Sequence, residues 1–140
     1  MNVLVDTSVW IDFFAGRENV QVQVLTSLLE EKENICICGI ILTEILQGIR
    51  NDENCARTGR LLESLIFLQM SRDTFLQAAR MYRRLRGKGI TIRNSLDCMI
   101  AAVAREYHLP LLQRDRDFVP LAEHCGVVLL TPGKETFKGV

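Results

Sequence analysis

Short apolar runs alternating with helix-length stretches constrain this chain more than any other feature. The runs are Val3–Val5, Ile35–Cys38, Phe67–Met70, Leu111–Leu112 and Val127–Leu130. They are shorter than a helix and rich in β-branched or bulky aliphatic residues, the pattern of strands buried on both faces. Between them, apolar residues recur at helical spacing. Such segments are Val9 to Phe14, stopping near Ala15-Gly16, then Val20 to Glu31, Ile41 to Ile49, Phe75 to Arg86 after a cap region at Ser71–Thr74, and Leu96 to Tyr107 with Ser95 as N-cap. Asn51 or Asp52 can cap a further helix that carries Leu61, Leu62, Leu65 and Ile66 to the core. A short helix starts at Asp115–Phe118. Strands alternating with helices imply right-handed crossovers. The expected fold is α/β, three-layered, with a largely parallel five-stranded sheet and helices on both faces. There is no repeat and no linker, so residues 1–140 read as a single domain, with Pro132–Val140 as a tail.

The first strand ends abruptly in Asp6, followed by Thr7 and Ser8. Ligands of open α/β sheets bind at the carboxyl ends of strands, so Asp6 stands where chemistry is expected. Taken alone it could equally cap the helix behind it. Three other acids stand apart from the solvated charge runs. Glu44 lies within Ile40-Ile41-Leu42-Thr43-Glu44-Ile45-Leu46, where an unpaired carboxylate is costly unless it meets a partner such as Arg50. Asp97 opens an apolar helix, where it could simply complement the helix dipole. Asp115 follows the fourth strand as Asp6 follows the first, with Asp117 two residues on; either could cap the next helix. Together these readings as caps weaken, because strand ends one and four and two helix starts can face one crevice. Carboxylates crowded there repel unless a cation neutralises them. A hard divalent cation takes carboxylate oxygens, can activate water and can neutralise a phosphodiester.

Composition removes the rival chemistries. Lys and Arg number 17 and Asp and Glu number 17, so no global field marks a nucleic-acid binder and any basic surface must be local. Five Cys, an odd number without Cys-x-x-Cys, and only two His argue against a zinc site or a disulfide framework; most of the thiols are expected in the core. No Gly-rich phosphate loop and no Gly-x-Ser-x-Gly occur. The apolar start is interrupted by Asp6 and Asp12 and lacks a basic leader, and no run approaches a membrane span. A soluble, cytoplasmic chain with no membrane partner is expected.

Four segments in order, Val3-Leu4-Val5-Asp6-Thr7-Ser8-Val9-Trp10-Ile11-Asp12, Thr43-Glu44-Ile45-Leu46-Gln47-Gly48, Leu96-Asp97-Cys98-Met99-Ile100-Ala101-Ala102-Val103-Ala104 and Leu111-Leu112-Gln113-Arg114-Asp115-Arg116-Asp117-Phe118, resemble the PIN-domain nucleases. The chain looks most like the VapC-type toxins of toxin–antitoxin pairs, over nearly its whole length. No single motif is specific; the ordered set is. The resemblance implies an endoribonuclease dependent on Mg²⁺ or Mn²⁺. Its four acids fall on Asp6, Glu44, Asp97 and Asp115, with Asp6, Asp97 and Asp115 as metal ligands. Thr7 matches a hydroxyl that supports the first acid, and Asp117 is the neighbouring candidate for the fourth. Gln113 stands where the family often has Thr or Ser, a departure that bears on an auxiliary hydroxyl and not on the metal site. The resemblance also implies a homodimer and a small antitoxin protein that blocks the site.

For RNA, Arg114 and Arg116 flank the fourth acid, and Arg93, in the variant segment Arg93-Asn94-Ser95, lies just before the third. The basic run Arg80 to Arg86 reads better as a solvated helix face. Trp10, Phe13 and Phe14 read as core in preference to a partner surface. Two other functions compete. A housekeeping RNA-processing nuclease would use the same acids. A silent RNA- or protein-binding module would not need all four. A phosphoryl-accepting receiver fits poorly, since Asp6-Thr7 is not an acidic pair.

Overall fold

Four of the five expected strands form, and all run parallel. The computed structural model describes residues 1–130. The elements are β1 (Asn2–Val5), α1 (Thr7–Phe14), α2 (Val20–Glu30), β2 (Asn34–Cys38), α3 (Gly39–Gln47), α4 (Asp52–Leu62), β3 (Ile66–Leu68), α5 (Arg72–Gly87), α6 (Ser95–Glu106), β4 (Leu111–Leu112) and α7 (Phe118–Cys125). The strand order is β3-β2-β1-β4, with Leu4 level with Cys36 and Leu111, and Cys36 level with Ile66. Val127–Leu130 is not a fifth strand. Only Leu129 makes a parallel bridge to Leu111, flanked by bonds from Leu111 N to Val128 O and from Leu130 N to Leu111 O, both 2.9 Å. The cause is the brevity of β4, which turns away after Leu112 and leaves one residue to pair. The expected tail, Pro132–Val140, lies outside the described residues.

Right-handed crossovers from β1 through β2 to β3 put α1–α4 on one face; the return to β4 puts α5 and α6 on the other. The packing agrees, with α1 against α2 and α3, and α3 against α4, while α5 packs on α6 and α7. β1 is the central strand, and Val3, Leu4 and Val5 are wholly buried. Across the second face, Ala101, Ala102 and Ala104 of α6 are buried, small enough to let the helix sit close to its neighbours. Fully buried Leu25, Ile37, Ile100, Leu111 and Phe118 each contribute roughly 1.5–3 kcal/mol.

Several element ends differ from expectation, each for a local reason. α3 starts at Gly39, directly after β2, with no intervening loop. α5 starts at Arg72 because the Ser71 N–H is satisfied by Thr74 Oγ1 at 3.0 Å. Asn94, not Ser95, caps α6, its Oδ1 accepting from Leu96 N at 3.0 Å. Leu61 and Ile66, expected in the core, are 59% and 41% exposed, because α4 and the edge strand β3 have no further layer over them. Trp10 is buried and stacks on Phe14 with centroids 5.7 Å apart, but Phe14 itself is partly exposed. All five Cys are free and four are buried. Among the described residues, no helix is long and apolar enough to cross a membrane.

Candidate active site

The carboxyl edge of the sheet carries a cleft of about 360 Å³ lined by Asp6, Thr7, Ser8, Glu44, Arg93, Asn94, Asp97, Asp115 and Asp117. Five of these nine residues are carboxylates and one is a cation. A larger cleft of about 480 Å³ lies elsewhere, lined mainly by aliphatic side chains such as Leu42, Leu46 and Leu65. It holds no comparable set of reactive groups.

Topology brings the acids together. Asp6 ends β1 and caps α1, with Oδ2 accepting from Ser8 N at 3.0 Å and from Ser8 Oγ at 2.6 Å. Capping and a place in the cleft are therefore not alternatives for this residue. Both Ser8 donors take Oδ2, and Oδ1 receives neither. Glu44 lies on α3, which starts at the end of the neighbouring strand. Helical side chains lean toward the helix N-terminus, so Glu44 reaches back to the β1 corner. There its Oε1 accepts from Thr7 Oγ1 at 2.7 Å. α6 must end where β4 begins, so it runs against the strands and its first turn, with Asp97, lies at their carboxyl edge. Asp115 and Asp117 follow β4. Asp97, Asp115 and Asp117 each offer a carboxylate oxygen within 4.8 Å of the other two.

The field of this cluster falls hardest on Asp97. Burial pushes its carboxyl up from the ordinary 3.8 to about 7, with Asp6, Asp115, Asp117 and Glu44 adding repulsion in that order, Asp6 most. Burial also raises Asp6, against the two Ser8 hydrogen bonds that lower it. Such a concentration of negative charge is costly without a cation. The lining offers oxygen donors only. Cys38 and Cys98 are buried and do not line the cleft, and burial pushes both thiols up. A hard oxygen-binding divalent cation fits this donor set, and a soft thiolate-seeking one does not.

Of the residues expected from sequence, Asp6, Thr7, Glu44, Arg93, Asp97, Asp115 and Asp117 line this cleft, and Arg114 and Arg116 do not. The tight carboxylate group is Asp97, Asp115 and Asp117, so Asp117 joins Asp115 in it and Asp6 flanks it. The Thr7 hydroxyl donates to Glu44, and the Ser8 hydroxyl donates to Asp6. Ser8 Oγ also accepts from Arg114 N at 3.1 Å, tying the loop after β4 to the end of β1. Gln113 stays beside the site, its Oε1 accepting from Asp115 N at 2.6 Å. Arg114 turns away, with Nη1 3.2 Å from Asp12 Oδ2. Arg93 lies on the acids themselves, Nε donating to Asp117 Oδ2 at 3.0 Å and Nη2 to Asp115 Oδ1 at 3.5 Å. Arg116 is exposed and makes no ion pair among the described residues. Arg50 is not a partner of Glu44.

Sequence reasoning missed Ser8 and Asp12 as parts of the site and its frame. Asp12 is 5% exposed and binds Arg17, Asn19 and Arg114; the Arg17 hydrogen bond leads in holding its carboxyl below the usual range. Its place on the apolar helix α1 was the available signal, the same one that marked Glu44.

Comparison with known proteins agrees with this geometry. Residues 3–123 match the model of the PIN domain family. The chain is 35% identical over 122 residues to Ribonuclease VapC11 of Mycobacterium tuberculosis, covering 86% of this chain and 91% of that protein; a VapC ribonuclease of Mycobacterium bovis matches equally. Among solved structures, VapBC2 of Rickettsia felis bound to a promoter DNA fragment superposes with a TM-score of 0.74 at 19% identity, over 93% of this chain and 98% of that one. VapBC-1 of nontypeable Haemophilus influenzae gives 0.72 at 20% identity, over 93% and 97%. A parallel sheet with acids gathered at its carboxyl edge, matched to that family from β1 into α7, makes this chain a member of the PIN-domain family, in its VapC branch.

Proposed function

We propose that the protein is the toxin of a toxin–antitoxin pair, an endoribonuclease that hydrolyses RNA phosphodiesters with a divalent ion, Mg²⁺ or Mn²⁺. One observation carries this reading: Asp97, Asp115 and Asp117 converge within 4.8 Å in a cleft that also holds Asp6 and Glu44. Asp97, Asp115 and Asp6 would hold the ion, with Asp117 beside them as a further carboxylate. The bound ion supplies a Lewis acid that makes water nucleophilic at neutral pH and neutralises phosphodiester charge. Glu44, fixed by Thr7, orients the attacking water and takes its proton. The water oxygen would bond to phosphorus as the bond to the leaving ribose oxygen breaks in line, and the leaving oxygen would take a proton from solvent to become a hydroxyl. Ser8 keeps Asp6 turned into the cleft. Arg116, exposed between Asp115 and Asp117, would meet an RNA phosphate.

The VapC ribonuclease relatives and the toxin–antitoxin complexes among the similar structures support a small antitoxin as partner. A homodimer working in the cytoplasm completes the picture. The test is cleavage of total RNA by the purified protein. Activity should appear with Mg²⁺, vanish with chelator, and fall by about a hundredfold in Asp6→Asn, the scale on which one charge-stabilising group acts. Full activity in Asp6→Asn, or in excess chelator, contradicts the assignment.

A further inference from the structure

Arg93 is the single cationic side chain among the residues lining the acidic cleft, and it lies on two of the three clustered carboxylates. Its Nε is 3.0 Å from Asp117 Oδ2 and its Nη2 is 3.5 Å from Asp115 Oδ1. The backbone at this position is fixed on both sides. Ile92 is 3% exposed in the core, and Asn94 caps α6. The Arg93 side chain is nevertheless 67% exposed, so its head can leave while its Cα stays. An arginine anchored this way puts a guanidinium on carboxylates that a divalent ion would otherwise bind. The carboxylates are shared, because Asp115 and Asp117, which Arg93 pairs with, are the two that approach Asp97.

We infer that Arg93 is a tethered counter-cation of the metal site: it neutralises Asp115 and Asp117 in the metal-free protein and competes with the divalent ion for them. Arg93 thereby sets the ion concentration at which the centre fills. This rests on the metal-centre reading above. It differs from a role in RNA contact, because its signature is in metal affinity with no RNA present. A general charge effect is separable from direct competition. Arg116 carries the same charge on the adjoining loop but makes no ion pair with the acids, so its removal should matter less.

The experiment is calorimetric titration of Mn²⁺ into the wild-type protein and into Arg93→Gln, Arg116→Gln and Asp97→Asn, with melting curves to establish that each is folded. Arg93 is on the surface, so its replacement should leave the fold intact. Direct competition predicts that Arg93→Gln binds Mn²⁺ roughly fivefold more tightly, the scale of a few weak exposed ion pairs, and that Arg116→Gln changes affinity by less than about twofold. The half-saturating Mg²⁺ concentration for RNA cleavage should move in the same direction in Arg93→Gln. Unchanged or weaker Mn²⁺ binding by Arg93→Gln overturns the competition, as does an equal gain in Arg116→Gln. Undiminished binding by folded Asp97→Asn overturns the metal centre itself, and the competition with it.

Discussion

Burial, with repulsion from the neighbouring acids behind it, pushes the Asp97 carboxyl up from its ordinary 3.8 to about 7 in the folded protein. Between those values the folded state binds a proton that the unfolded chain has released. Stability of the metal-free protein therefore falls as pH rises from about 4 through about 7, and the loss is complete above the folded value. Asp97→Asn removes that charge, so in chelator at pH 8 it should melt a few degrees above wild type, roughly 2–8 °C, while losing Mn²⁺ binding. Scanning fluorimetry from pH 5 to 8 checks both the sign and the flattened slope. Metal affinity runs the other way, rising with pH through about 7, because the ion must displace the proton. Ser8 makes a second prediction. Ser8→Ala leaves Asp6 without its 2.6 Å donor and Arg114 N without its acceptor. Mn²⁺ affinity should drop by about tenfold, the range seen when a partner that orients a ligand is removed. Asp6 was legible in the sequence because it ends an apolar run. Its orienting hydroxyl was not, because Thr7 and Ser8 are adjacent and only the helix start decides which one turns back.

Elements bring the acids together, and their joints are polar where they are most buried. Thr74 is wholly buried between α5 and α6; its Oγ1 donates to Glu106 Oε1 at 2.8 Å and accepts from Ser71 N. Thr74→Val keeps the shape but strands both partners, so chemical denaturation should show a loss of about 1–3 kcal/mol with little change in metal binding. The long helices and strands β1, β2 and β4 could be read from the sequence pattern, because burial imposes it. β3 was legible only in part and the fifth strand was overread. β3 lies on an exposed edge, with Ile66 41% and Phe67 48% exposed, so it lacks the signal that Ile35–Cys38 carries. At Val127–Leu130 the composition suits a strand, but pairing depends on how long β4 runs, which no local pattern records. Likewise Asn94 and Ser95 are both good caps, and tertiary context selects the former.

For the whole molecule, the balance of charge matters more than its sum. A net charge of zero conceals five carboxylates in one cleft and arginines around it. Arg114 is committed to Asp12, so charge reversal there should act on stability first. Charge reversal at Arg116 should instead weaken RNA binding and reduce its salt dependence by about one phosphate contact, measurable by anisotropy titration. The four ordered acids made the site legible as a set, while their grouping was not. The family resemblance groups Asp6 with Asp97 and Asp115, and the fold brings oxygens of Asp97, Asp115 and Asp117 within 4.8 Å of one another. That grouping comes from the tight turn after β4, where Asp117 N donates to Asp115 Oδ1 at 2.9 Å and draws the two side chains to one side. The most direct measurement is a crystal of the protein soaked in Mn²⁺, read by anomalous scattering. The peak should lie within coordination distance, roughly 2.1 Å, of carboxylate oxygens from at least two of Asp97, Asp115, Asp117 and Asp6. A fully soaked crystal with an open cleft and no peak there, or with its peak at another site, would contradict a metal-dependent ribonuclease centre.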